Sequence, residues 1–208
     1  MRKLLLAIFV LCLAGGSMVS AAVTTFTPPY SDMGDLDHYS YYVWNINLGS
    51  INPQDITGAS IVLNDIYDWN GGNENDVLYI NLLDWQNSLK SREVYVTNPT
   101  LIIGCDSVTG NQFGNTNRIA ALGVPEDISI GYANRKDVTV DFTEDLLNVL
   151  KGFAVDGKIA LGFDPDCHFY NNGITFNVTT ATVPAPGAVV LGSIGIALVG
   201  WLRKRRTL

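Results

Sequence analysis

The stretch Gly173-Ile174-Thr175-Phe176-Asn177-Val178-Thr179-Thr180 decides the fold. Successive side chains of an extended chain point to opposite faces, so Ile174, Phe176 and Val178 share one side and Thr175, Asn177 and Thr179 the other. A strand with one dry face must lie in a sheet that a second apolar layer covers. Outward from it, further apolar runs rich in β-branched and aromatic residues recur at short intervals: 39–48, 59–64, 77–83, 93–96, 100–103, 128–131, 138–142 and 158–163. Asn70-Gly71-Gly72-Asn73, Asp156-Gly157 and Asn172-Gly173 separate some of them as turns, because Gly and Asn accept positive φ cheaply. A single segment reads as a helix. Thr143 caps it, Glu144 and Asp145 suit the positive end of its dipole, Leu146, Leu147 and Leu150 share a face, and Lys151-Gly152 supplies a stop. Nine strands with one short helix predict an all-β domain: a jelly-roll-like β-sandwich whose helix plugs one end or crosses between the sheets. No fixed-period repeat appears, which argues against a propeller or solenoid.

Charge divides the chain of 208 residues into three parts. All 20 acids lie between Val23 and Val183, alongside only seven cations, so this segment carries a balance of −13. Such a surface repels a polyanion, which argues against a nucleic-acid partner. With 47% hydrophobic and 16% charged residues, the chain has ample material for a packed core.

The two ends read as addresses. Arg2 and Lys3, the apolar run Leu4 to Ala14 and the small residues closing at Ala21-Ala22 have the order of a secretory signal peptide over 1–22. Eleven apolar residues span roughly 16 Å, about half a hydrocarbon core, which is short for a retained span. The expected partners there are the Sec translocon and signal peptidase. At the other end, Val183-Pro184-Ala185-Pro186 ends the domain spanning 23–182, since two prolines one residue apart sustain neither strand nor helix. The uncharged stretch 187–202 follows as an expected transmembrane helix, then the basic cluster Arg203-Lys204-Arg205-Arg206, which should stay cytoplasmic.

This tail over 183–208 resembles the PEP-CTERM sorting signal: a Pro-x-Pro motif, a Gly-rich apolar segment and a terminal basic cluster. Ala185 stands where the family usually has an acid. The resemblance implies an exosortase, a membrane-embedded cysteine protease, as partner. It also implies a protein held briefly at the inner membrane and then delivered to the envelope surface or the extracellular polysaccharide matrix. From residue 59 onward the order of segments 59–63, 76–80, 138–142 and 158–163 is also similar to secreted jelly-roll modules found beside polysaccharide-active enzymes.

Three kinds of residue invite chemistry within the domain. Cys105 and Cys167 remain after signal-peptide removal, and in an oxidising compartment the pair reads as a disulfide closing a long loop. The rival role, a Cys167 thiolate activated by His168, suffers because neighbours in an extended chain point apart. With only His38 and His168, a multi-histidine metal centre is not expected. Calcium is the better metal, with Asp164-Pro165-Asp166 as the tighter carboxylate pair; the stretch from Asp65 to Asp76 lacks the EF-hand register. No other cofactor is implied. Among the aromatics Trp69 is the expected glycan contact, because it precedes the Asn70–Asn73 turn, where burial is hardest. No G-x-S-x-G, H-E-x-x-H or phosphate loop is present. The sequence reading is a non-enzymatic, exported surface protein, with a carbohydrate-binding module as its alternative and a secreted hydrolase behind both.

Overall fold

The computed structural model describes residues 21–28, 31–69, 76–85, 94–97, 100–106, 110–181 and 186–205. Most of the expected signal peptide, the Asn70–Asn73 turn, and Val183, Pro184, Ala185 and Arg206 of the expected sorting motif lie outside them. The chain divides into a β-rich unit, Val23–Thr180, and a second unit formed by its two ends.

Thirteen strands are described, in two sheets. The front sheet has the order β1 (Ala21–Phe26), β13 (Ile174–Ala181), β4 (Ile56–Asp68), β12 (Phe169–Tyr170) and β2 (Asp35–Leu36), with β9 (Ser129–Ile130) and β10 (Lys136–Asp141) also paired to β4. The back sheet runs β6 (Val94–Thr97), β7 (Leu101–Cys105), β3 (Ser40–Asn47), β11 (Lys158–Pro165), β5 (Val77–Leu83) and β8 (Arg118–Gly123). Pairing is antiparallel apart from a short parallel contact of β9 with β4. The fold is thus all-β and sandwich-like. Ile174, Phe176 and Val178 are buried, as their alternation requires, and pack in one core with Ile61 and Leu63 of the front sheet and Trp44, Ile80, Leu161 and Phe163 of the back. All nine predicted strands form. Four strands escaped detection: β2 and β12 because two-residue strands carry too little periodicity, β8 (RIAALG) because it buries only Leu122, and β1 because it starts within the stretch read as the signal peptide and has no buried residue.

The predicted helix is α1, Glu144–Phe153, with the Thr143 hydroxyl accepting from Leu146 N–H at 3.4 Å. It touches β4 in front and β5 and β11 behind, burying Leu150. Its stop is not Lys151-Gly152. The helix continues into a 3-10 turn, Ala154–Asp156, and ends at Gly157, whose φ of 77° is the left-handed conformation a C-terminal cap needs.

β4 is the strand that positions the site. Its buried residues alternate through Ala59, Ile61 and Leu63, then skip: Asn64 and Asp65 both turn away from the core, and burial resumes at Ile66 and Asp68. The register against β10 shifts at the same place, Lys136 facing Ile66 and Val138 facing Leu63. Asp65 takes φ 49°, and its N–H donates to the Asp137 carboxylate at 2.9 Å. This is a β-bulge, and one extra residue inverts the faces of everything after it.

Two expectations need correction. Cys105 and Cys167 are free thiols, not a disulfide. Cys105 ends β7, Cys167 lies just past β11, and β3 is hydrogen-bonded between those strands. Two interstrand spacings are about 9–10 Å, more than a disulfide spans between Cα atoms. Nor is any helix among the described residues long and apolar enough to cross a membrane. Helix α2, Pro186–Arg205, has an uncharged part confined to 187–202, diluted by four glycines, and its last turn carries Arg203, Lys204 and Arg205.

Candidate functional site

Beyond the bulge, three short segments lie side by side at one end of the front sheet: Tyr67–Trp69 of β4, His168–Tyr170 around β12, and Asp35–Asp37 around β2. Phe169 faces Asp68 on one side and Leu36 on the other, and these three are fully buried. Their neighbours must therefore point outward. Tyr67 and Trp69, His168 and Tyr170, and Asp35 and Asp37 form three outward pairs, none of them buried.

The rings make a continuous surface row. Tyr39 contacts His38 at 3.8 Å between centroids, His38 meets His168 edge-on at 4.9 Å, and His168 leads to Trp69 at 5.8 Å and Tyr170 at 6.4 Å. Tyr170 stacks on Tyr67 at 5.5 Å, and Tyr67 meets Tyr132 at 5.6 Å. The Arg135 guanidinium covers the Tyr132 ring at 4.1 Å. Tyr39, Trp69 and Tyr132 are 67%, 56% and 63% exposed. Trp69 is thus exposed as the sequence predicted. Tyr67 is among the aromatics the sequence offers for a stacking platform, with Trp44, Trp85, Tyr41, Tyr42 and Tyr79, of which Tyr41, Tyr42 and Trp44 are buried; the other five rings of the row were missed, although the dyad His168-x-Tyr170 was the available signal.

At the centre of the row both histidines of the chain converge on Asp37. Its Oδ1 lies 3.2 Å from His168 Nε2 and 3.3 Å from His38 Nδ1, and accepts from Tyr39 N–H at 3.1 Å. Asp35 Oδ1 lies 3.5 Å from the other imidazole nitrogen, His168 Nδ1. Tyr42 fixes this turn: its hydroxyl accepts from Asp37 N–H at 2.9 Å and donates to the Asp35 carbonyl at 3.1 Å. Burial, with the nearby carboxylates, pushes the Tyr42 phenol up to about 12, so it remains a donor at any physiological pH.

Cys167 and His168 point apart. The Cys167 thiol donates to Asp68 Oδ1 at 3.4 Å, and burial, aided by Asp76 and Asp68, pushes its pKa up to about 12. A thiol held that high is a poor nucleophile.

Asp164 lies elsewhere, on the outer side of the back sheet. The segment 110–117 folds over it: Phe113 packs against Gly162 and meets Tyr41 edge-on at 5.7 Å, while Gln112 N–H donates to Asp164 Oδ2. Asp164 is fully buried, and its Oδ1 makes no hydrogen bond among the described residues. Burial, with Asp106 and Asp166 adding repulsion, pushes its carboxyl up to about 7. Asp166 is raised by burial and by Asp106 and Asp76. Among the described residues, three or more potential metal ligands meet at Asp37/His38/His168 and at Asp68/Asp76/Cys167, so the expected calcium pair Asp164 and Asp166 belongs to neither set.

Comparison with known proteins adds little. No protein family matches the sequence, and no curated protein does. Among solved structures, the Drosophila NLP-core, described in terms of pentamer formation and histone binding, is 11% identical and covers 79% of this chain and 98% of its own, with a TM-score of 0.23. A likeness at that level carries no argument about fold or function.

Proposed function

We propose that this protein is an exported, non-enzymatic surface protein whose sandwich binds polysaccharide through the aromatic row at the end of the front sheet. The observation that carries the reading is the row itself: seven rings in unbroken contact, three of them more than half exposed, flanked by Asp35, Asp37 and Arg135. Exposed rings stack on the apolar faces of sugars while neighbouring polar groups take hydrogen bonds from hydroxyls. A net −13 domain suits neutral or cation-bridged glycans better than polyanions. The ends supply the route: a signal peptide for export, then a PEP-CTERM-like tail read by an exosortase. The jelly-roll character of the sandwich and a structural calcium near Asp164 and Asp166 belong to the same proposal.

Affinity electrophoresis and pull-down on a panel of soluble and insoluble polysaccharides test it, comparing the parent with Trp69→Ala and Tyr132→Ala. The expected result is retention on at least one polysaccharide, weakened at least tenfold by either change, which corresponds to about 1.4 kcal/mol lost per ring. Equal retention of parent and variants, or no retention on any member, overturns the glycan reading.

A further inference from the structure

The sequence offers two histidines 130 positions apart, and the fold brings both to one carboxylate. One ligand atom from each of Asp37, His38 and His168 lies within 4.8 Å of the others. A tetrahedral ion with ligand bonds of 2.0–2.1 Å needs ligand atoms about 3.3 Å apart. The observed separations from Asp37 Oδ1, 3.2 Å to His168 Nε2 and 3.3 Å to His38 Nδ1, match two edges of that tetrahedron.

Three further observations separate this cluster from an ordinary surface ion pair. His38 Nδ1 is screened from solvent and makes no hydrogen bond among the described residues, yet faces the carboxylate at 3.3 Å. A bound cation would satisfy both atoms. His168 presents Nε2 to Asp37, while its Nδ1, screened from solvent and making no hydrogen bond among the described residues, faces Asp35 at 3.5 Å, a gap that a small ring rotation would close into the carboxylate–imidazole pair that orients metal-bound histidines. Finally, two Tyr42 hydrogen bonds hold the backbone of the Asp35–Asp37 segment, and Tyr39 N–H donates to Asp37 Oδ1, so the ligand-bearing segment is braced before any ion arrives.

We propose that Asp37, His38 and His168 form a zinc site, with Asp35 as the positioning residue behind His168. Two imidazole nitrogens and one carboxylate oxygen suit zinc better than calcium, which takes six to eight oxygens. Three protein ligands leave a fourth position for water or for an oxygen of a bound molecule. The ion would tie the turn after β2 to the entry of β12. The site stands on its ligand geometry and does not depend on the glycan reading.

The test is zinc titration of the full chain, purified without a polyhistidine tag and stripped with chelator, followed by calorimetry and by thermal melts. One equivalent should bind with micromolar or tighter affinity and raise the melting temperature. His38→Asn and His168→Asn should each weaken binding at least tenfold. Asp35→Asn should weaken it about 10–100-fold while leaving the stoichiometry at one. Cys167→Ser should leave binding unchanged. Absence of saturable zinc binding by the parent overturns the proposal, and that result needs no variant to fold. So does binding that Cys167→Ser abolishes while the histidine variants keep it, which would place the ion at Asp68, Asp76 and Cys167. Polysaccharide retention measured with and without zinc is a separate readout, so loss of one property does not count against the other.

Discussion

Replacing Asp164 with Asn should stabilise this protein at high pH and leave it nearly unchanged at low pH. Asp164 is fully buried beneath the 110–117 segment, and its carboxyl titrates at about 7 instead of the usual 3.8, chiefly through burial. Between those values the folded state holds a proton that the unfolded chain has released, so stability falls as pH rises and levels off above about 7. At 1.36 kcal/mol per pH unit, the gap sets a ceiling of about 4 kcal/mol on the penalty of ionising Asp164 in the fold. Asn keeps the shape and can still accept from Gln112 N–H, but it never ionises. Urea unfolding of parent and Asp164→Asn at pH 4 and pH 8.5 isolates the effect, because the other carboxylates cancel in the difference. The variant should match the parent within about 1 kcal/mol at pH 4 and exceed it by about 2–4 kcal/mol at pH 8.5. An equal difference at both pH values would refute the reasoning.

The same site predicts that calcium, if held between Asp164 and Asp166, raises the melting temperature of the parent at pH 8.5 and not that of Asp164→Asn; a hundredfold excess over the dissociation constant corresponds to about 2.7 kcal/mol. Gly162→Ala should cost about 1–3 kcal/mol, because its Cβ would sit 2.7 Å from the Phe113 ring; denaturant unfolding reads this directly. Without reductant, unfolded protein should release two titratable thiols from the domain, and in the folded state Cys167 should alkylate far more slowly than an exposed cysteine, given its pKa of about 12. In an exporting host with an exosortase, intact mass should show a mature chain beginning near Val23 and ending near Pro184; recovery of the whole tail in the surface fraction would contradict the sorting proposal.

Periodicity in the sequence determined that this chain makes strands, roughly where, and that Thr143 starts a helix, because alternation and capping are local properties that one segment displays alone. The charge division between middle and ends was equally legible, since it is a matter of composition. Which cysteines meet was not: the order of strands in the back sheet places β3 between β7 and β11, and spacing along the chain carries no information about that order. The candidate site shows the division most clearly. Continuing the alternation of Ile61 and Leu63 would put Asp65, Tyr67 and Trp69 toward the core. The bulge at Asn64 and Asp65 reverses that phase, turning Tyr67 and Trp69 outward and Asp68 inward. Trp69 is exposed because the shifted strand turns it outward. A bulge forms where a partner strand accepts one residue against two, here β10 with Asp137 taking the Asp65 N–H. The row of rings and the meeting of His38 with His168 then follow from which strands lie beside β4, a choice made by packing the two sheets and not by any single stretch of chain.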